Sequence, residues 1–467
     1  REMIRTGLLA VADKLGGHVW HNADLLEEIN YLVEYPTPLY GKIDDEFLKL
    51  PVPAVVTPMR DHQRYYPVRN EDGSLMPYFL TVRNGGTKAL ENVQHGNEKV
   101  LRARLDDAKF FFENDRKKTL EGHRDDLTRI NYQEGMGDMR DKADRLQKLT
   151  EAIGKDWGFT AEEAADADRA AFLSKSDLAT GMVTEFTELQ GEMGKEYALL
   201  DGEKPEVAQA IFEQYMPRFA GDILPQQEIG RALSLADKLD NLAATFLRGL
   251  IPTGSQDPFA LRRQTIGAVN ILTDGKIHWD IRRGIEAALA LLPGEEETKK
   301  TVLSQIEDFF RQRIKAIMLD EGIAYDIIDA VLAGPVDDIY ALFLKARSMA
   351  ESQLKDEADL RQAVTRLANI TKGKTGGKVD PSLFTEDVEK KLQDAFEAAS
   401  KKVLPLFSAY QYGEALPVLK ELTAPINDYL DNVMVMVDDE AVKNNRISQL
   451  LATLALFNTW GDFSKLV

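Results

Sequence analysis

The 467-residue chain contains no cysteine. Disulfides and thiolate metal sites are therefore excluded, and a cytoplasmic location is expected. No run of about eighteen apolar residues is present, so no membrane partner is expected. Nor is there a charged-then-apolar leader of the secretory kind. Histidine is scarce: six residues, at 18, 21, 62, 95, 123 and 278, none followed by Asp and none between Arg124 and Lys276. A phosphate loop of the GxxxxGKS/T type is missing, as is a GxSxG elbow. Positive charge is in deficit, with 58 Lys and Arg against 77 Asp and Glu, a net charge of -19. Such a chain repels a polyphosphate at long range, which argues against a general nucleic-acid binder and against DNA as a partner. Any RNA contact has to come from local basic stripes.

What is present is enough apolar residue, 44%, to build real cores. The length suggests two to four domains. The chain starts at Arg1 without Met, directly on a helix-like run (Ile4, Leu8, Leu9, Val11, Leu15), and reads as N-terminally truncated. Pro51 to Val68 carries β-formers at alternating positions (Val55, Val56, Tyr65, Tyr66, Val68). Asn70-Glu71-Asp72-Gly73 is turn chemistry, and Tyr78 to Val82 returns as a second strand, so a hairpin is predicted. Asn84-Gly85-Gly86 breaks the chain. From about Asn97 the spacing turns helical: Leu101, Leu105, Ala108 and Phe112 form one apolar stripe. A second helical block runs from about Asp138 to Ala268. From about Ile281 the chain reads as a bundle, with stripes at Val302, Ile306, Phe309, Arg313 and Ile317, at Leu360, Val364, Leu367 and Ala368, and at Val388, Leu392, Phe396 and Val403. Lys372 to Lys378, rich in Gly and Lys, is an exposed loop. The fold class is mainly α, multidomain, with a smaller α+β part at the N-terminal end.

Three constellations could carry chemistry. His62-Gln63-Arg64, with Tyr65 and Tyr66 following, offers donors, an acceptor and aromatic faces suited to a phosphate-ribose backbone and its bases. The same residues would also make an ordinary polar strand end with one tyrosine in the core. Gly96-Asn97 reads as a helix N-cap, where Lys99, Arg102 and Arg104 add charge to an anion-attracting terminus; a solvated amphipathic face has the same composition. Asp141, Asp177, Glu185, Glu188, Asp237 and Asp240 recur through the middle block. Carboxylates alone could hold a metal there, but the His and His-Asp ligands of an HD-type phosphohydrolase are lacking, and solvated helix faces show the same spacing.

These strings together resemble one family. His62-Gln63-Arg64-Tyr65-Tyr66 is similar to its HQRYF segment. Gly96 to Ala108, followed by Phe110-Phe111-Phe112, resembles GNexVLrARLxDAxFF. Glu185 to Gly191 resembles EFPELQG with Thr187 in place of proline. Ala236-Asp237-Lys238-Leu239-Asp240 matches ADKLD, and Pro252 to Arg263 resembles PTGSxDPFALRR. Asp431 to Met436 and Asn444-Asn445-Arg446 also fit. The family is the β subunit of the bacterial two-subunit glycyl-tRNA synthetase, and the resemblance runs through the whole chain.

The resemblance implies three regions: residues 1–125 as the end of an N-terminal tRNA-contacting body, 126–270 as a helical HD-like domain, and 271–467 as a helical anticodon-binding domain like that of arginyl-tRNA synthetase. It implies an aminoacyl-tRNA synthetase subunit whose partners are tRNA(Gly) and an α subunit, in an α₂β₂ assembly. ATP and Mg belong to the α subunit; this chain is expected to hold no cofactor, metal or catalytic residue. The absence of HIGH and KMSKS strings, and of the arginine-bearing motifs of the antiparallel-sheet synthetases, fits that division. The expected tRNA contacts in the body are His62, Gln63, Arg64, Lys99, Arg102 and Arg104. In the anticodon domain they are Arg361, Arg366, Asn369, Lys372, Lys374 and Arg446, where Arg361 and Arg366, five apart, do not share one narrow stripe. Arg262 and Arg263 are expected to cap or brace the junction before the last domain. The competing reading is an HD-type metal-dependent phosphohydrolase.

Overall fold

A computed structural model describes residues 1–20 and 22–466; His21 lies outside the described residues. The chain forms two compact units, Arg1–Asp240 and Asn241–Val467. Helices dominate both, and the first also carries a small sheet. Among the described residues, no helix is long and apolar enough to cross a membrane.

The sheet has four antiparallel strands: β1 (His18–Val19), β2 (Pro36–Lys42), β3 (Tyr66–Arg69) and β4 (Leu75–Asn84), in the order β1-β3-β4-β2. The register sets Tyr66 opposite Leu80 and Leu39 opposite Thr81. Side chains alternate across a strand, so Tyr66, Val68 and Leu80 share one face. Ile4, Leu8 and Ala12 of the Glu2–Leu15 helix and Leu25, Leu26 and Ile29 of the Ala23–Leu32 helix pack on it as one core. Phe79 points to the other face, where a Cβ on Gly41 would lie 2.3 Å from its ring. That close approach requires glycine in β2.

The β3–β4 hairpin turns where the residues predict. Gly73 adopts φ 86°, and the Asp72 carboxylate accepts the Ser74 amide at 2.9 Å. β4 stops at Asn84, whose side-chain oxygen accepts the Glu34 and Tyr35 amides at 3.0 Å each. The strand expected over Pro51 to Val68 is a correction. Val52–Thr57 is α-helical and Pro58–His62 is a π-turn, leaving only Tyr66–Arg69 as strand. Pro51 and Pro53 supply the backbone geometry of a helix start. Ala54, Val55 and Val56 are consecutively buried, which one face of a strand cannot achieve, so packing overrides β-propensity.

The helix expected from Asn97 begins at Leu90 and runs to Asp115. Gly96 and Asn97 therefore lie inside it, and the N-cap reading is wrong. The apolar period was taken from Leu101 onward; the polar turn before it is helical too, because an exposed glycine weakens a helix without ending one. The next block opens as its sequence suggests. Asp138 and Asp141 form a reciprocal capping box on Met139–Trp157, and Thr160 and Glu163 another on Ala161–Leu173.

In the second unit, Asp257 accepts the Leu261 and Arg262 amides at 2.8 and 3.0 Å, starting the Leu261–Asp274 helix. Val302, Ile306 and Phe309 are buried on Glu296–Asp320, and Leu360, Val364 and Leu367 on Ala358–Thr371. Leu392 and Val403 are buried on Asp387–Ser408. The helices Thr423–Asn432 and Glu440–Asn458 follow. Residues 374–378 are irregular.

Candidate functional site

In the first unit, two of the motifs meet through one hydrogen bond: Tyr65 donates to Asn97 at 3.0 Å while its ring stacks on Phe79 at 4.5 Å. The flanking polar residues diverge. His62 lies against Phe186, with Nε2 3.6 Å from Glu188, so it joins the Glu185–Gly191 string. Arg64, in a left-handed conformation (φ 57°), donates to Glu28 at 2.8 Å. Gln63 is half-buried. On the Leu90–Asp115 helix, Lys99 is exposed, Arg104 is half-buried, and Arg102 pairs with Asp44 at 2.6 Å. Thus Lys99 and Arg102 line one cleft, whereas Arg64 and His62 each face a carboxylate elsewhere.

The spaced acids do come together in part, but lysine and arginine already occupy them. Asp237 pairs with Lys142 at 2.9 Å and Lys175 at 3.0 Å. Asp240 receives Lys142 at 3.0 Å and Arg145 at 2.6 Å. Asp177 accepts the Gly191 amide at 2.7 Å and the Tyr215 hydroxyl at 2.8 Å. Burial pulls the Asp237 carboxyl up, but Lys142 and Lys175 outweigh it and hold it well below the ordinary value. Burial also works against Lys142, yet Asp237 and Asp240 together raise it. Lys175, which shares one carboxylate and faces Lys142, is lowered, chiefly by burial. Among the described residues, no group of three or more His, Asp or Glu is arranged to hold a metal. Asp237 and Asp240 are thus held by side-chain cations rather than left open as donor oxygens. One signal of this was legible. Lys142 stands four, seven and eleven residues before Leu146, Leu149 and Ile153, on their apolar stripe.

Lys238 adds a pH dependence. Its ammonium, 4% exposed, donates to the Met216 carbonyl at 2.7 Å and to Ser234 at 2.8 Å. Burial, with Lys175 and Lys142 nearby and Asp237 opposing, brings it down to about 7. An unfolded lysine titrates near about 10.4. Between these values the unfolded chain binds the extra proton, so Lys238 makes stability rise as pH climbs from about 7 towards 10. Lys238→Met is expected to flatten that rise and to stabilise the chain at pH 7, since Ser234 still donates to Met216 at 2.6 Å. Urea unfolding at pH 7 and 9 measures both; parallel pH slopes for the two proteins would contradict it.

In the second unit, Asn444-Asn445-Arg446 fastens two loops. Asn445 accepts the Asp380 amide at 2.7 Å and donates to its carbonyl at 3.0 Å, while Ser448 accepts the Gly377 amide at 2.8 Å. Arg446 donates to Glu389 at 2.9 Å, to the Met434 carbonyl at 2.8 Å and to Thr385 at 2.7 Å. At 4% exposure, Arg446 presents nothing to a partner. The expectation that it contacts RNA gives way to a positioning role, because a guanidinium beside a fully buried carboxylate is held there. Arg361 is also committed, donating to the carbonyls of Lys355 at 3.2 Å and Leu466 at 3.5 Å.

The remaining candidates gather at the surface. Arg366 bonds Asn427 at 3.0 Å and Asp431 at 2.6 Å. Asn369 and Lys372 are exposed, and Lys374 places its ammonium 3.0 Å from the Met436 sulfur. Met434 and Met436 are 74% and 57% exposed. Sequence reasoning missed these methionines as surface groups. The run Val433-Met434-Val435-Met436 alternates, with the valines buried, and that alternation was the available signal.

Comparison with known proteins gives this surface its context. Residues 360–461 match the DALR anticodon binding domain. Proteins named glycine--tRNA ligase beta subunit are similar over the whole chain: 46% identical in Clostridioides difficile (strain 630) and 42% in Desulforamulus reducens, covering 100% of this chain and 68% of each relative. One from Shouchella clausii is 43% identical over 95% of this chain and 65% of its own length. These relatives define an aminoacyl-tRNA synthetase subunit. Residues 1–333 match the glycyl-tRNA synthetase beta subunit family, and the chain belongs to that family.

Proposed function

We propose that this chain is the tRNA-handling partner in glycine--tRNA ligation: it grips tRNA(Gly) so that an α subunit can charge it with glycine. The observation that carries this reading is the second-unit surface where Lys374 sets its ammonium 3.0 Å from the Met436 sulfur, with Met434, Met436, Asn369 and Lys372 all exposed. Anticodon bases are unstacked and accept both stacking and edge hydrogen bonds. Polarisable thioethers offer adaptable apolar contact to a base face, and the lysine ammonium groups meet phosphates or base acceptors. The match to an anticodon binding domain over the same residues supports this use.

In this reading residues 271–467 read the anticodon, 126–270 form an HD-like domain whose buried charges are structural, and 1–125 contact the tRNA body through Lys99, Arg102 and Arg104, with His62, Gln63 and Arg64 shaping the neighbouring surface. ATP and Mg act on the α subunit in an α₂β₂ assembly. The setting is cytoplasmic, without membrane or DNA partners. An overall charge of -19 then discourages non-specific RNA while local cationic grooves bind the specific one.

Electrophoretic mobility of a glycine tRNA transcript with this chain, against a non-cognate tRNA, tests the proposal. Retention at low salt is expected, falling with salt at a slope set by a handful of phosphate contacts. Equal shifts for both RNAs would remove the anticodon-reading claim, and no retention at low salt would remove the tRNA role.

A further inference from the structure

We propose that the cleft between the end of β2 and the Leu90–Asp115 helix is a subsite for a single unpaired ribonucleotide; the idea rests on the tRNA reading above. The cavity measures about 320 Å³. Its floor is apolar: Ile43, Phe47, Leu101 and Leu105, each at most 6% exposed. Its rim carries Lys42, His95, Lys99 and Arg102.

The two carboxylates at the rim are already engaged. Asp44 pairs with Arg102 at 2.6 Å, and Glu98 accepts the Lys42 backbone amide at 2.9 Å and the Gln94 side-chain amide at 3.0 Å. Among the described residues, neither Lys42 nor Lys99 forms an ion pair. The cleft thus offers two uncommitted ammonium groups over a hydrophobic floor, in a volume at the small end of ligand sites. One nucleotide fits that description: ribose and base edge against the leucines, phosphate between the lysines. A duplex, whose bases are stacked inside, has nothing to put on the floor.

Gly96 supports the same assignment independently. It is exposed in the second turn of the helix, one turn before Lys99, and no atom lies within 4 Å of where its Cβ would be. Glycine there weakens the helix relative to alanine, and it leaves the helix backbone bare where an RNA strand would run past the rim. Lys42 is the residue that sequence patterns could not supply, because its backbone amide meets the Glu98 carboxylate across 56 positions of chain.

Fluorescence anisotropy of a labelled single-stranded tetraribonucleotide, titrated with the whole chain, tests this beside tRNA retention. The double variant K42Q/K99Q is expected to weaken tetranucleotide binding at least tenfold and to lower its salt slope by about 0.7, the one phosphate held between the two lysines. K42R/K99R is expected to bind like the parent chain, and a blunt RNA duplex is expected to bind both variants alike. Both lysines are exposed, so folding is not at stake. The cleft assignment is overturned if K42Q/K99Q binds the tetranucleotide as the parent does, if the duplex loses as much as the single strand, or if the parent retains tRNA but not the tetranucleotide. If the parent retains no tRNA at low salt, the underlying tRNA reading fails instead.

Discussion

Asp240→Asn is expected to lower the unfolding free energy by about 3–5 kcal/mol, the cost of removing one partner from a buried ionic network. Asp240 is 1% exposed and accepts Lys142 at 3.0 Å and Arg145 at 2.6 and 3.2 Å. An asparagine keeps one acceptor oxygen but no charge, so Arg145 loses its counter-ion and Lys142 keeps only Asp237. For a unit of this size the melting temperature should fall by roughly 10 °C. The pH dependence follows in sign. Burial pulls the Asp240 carboxyl up, but Lys142 and Arg145 hold it below the ordinary aspartate value. Its contribution is present above about pH 4 and is lost as pH falls through the folded value, so parent and variant should converge in acid. Adding Arg145→Met to Asp240→Asn should recover part of the loss, because the stranded guanidinium goes with its partner. Thermal melts at pH 7 and 3 decide it; an unchanged midpoint at pH 7 would show that the network contributes nothing.

Arg446→Ala should act on both fold and function. Glu389 is fully buried, and the variant strips its cationic partner. The Thr385 and Glu386 amides still donate to it at 2.7 and 2.8 Å, so the loss is placed at about 3 kcal/mol, the low end for a broken buried pair. The same change frees the Met434 carbonyl, and with it the alternation that exposes Met434 and Met436. Binding of tRNA(Gly) should therefore weaken at least tenfold while the salt slope of the residual binding stays unchanged, since Arg446 touches no phosphate. Arg446→Lys keeps the charge without the fork, and should retain most of the stability while still loosening the loop. A drop of about one in the salt slope would return Arg446 to the surface role that sequence reasoning first assigned it.

Residues near one another in the chain could be read directly. The helical start near Asp138, the Asn70–Gly73 turn, the apolar stripes and the Gly/Lys loop at 372–378 all follow from chemistry within four or five positions, which helix and turn geometry makes local. Misreadings fell where local preference was divided. Val55 and Val56 favour strand, yet their burial on a proline-started helix wins. Gly96 suggests a helix start, yet the helix runs through it.

The charge pairings were beyond reach for a different reason. Lys142 and Asp240 are separated by 98 positions, and Arg446 and Glu389 by 57; in the sequence each is one more charged residue among many. Composition and periodicity by themselves determined a mainly helical chain, and the resemblance of its motifs, in order, pointed to the glycyl-tRNA synthetase beta subunit family. Only the tertiary structure decided which cations are held inside by buried carboxylates and which remain at the surface. A charge in a low-dielectric interior is tolerated only beside its counter-charge, and that neighbour is chosen by packing rather than by sequence distance.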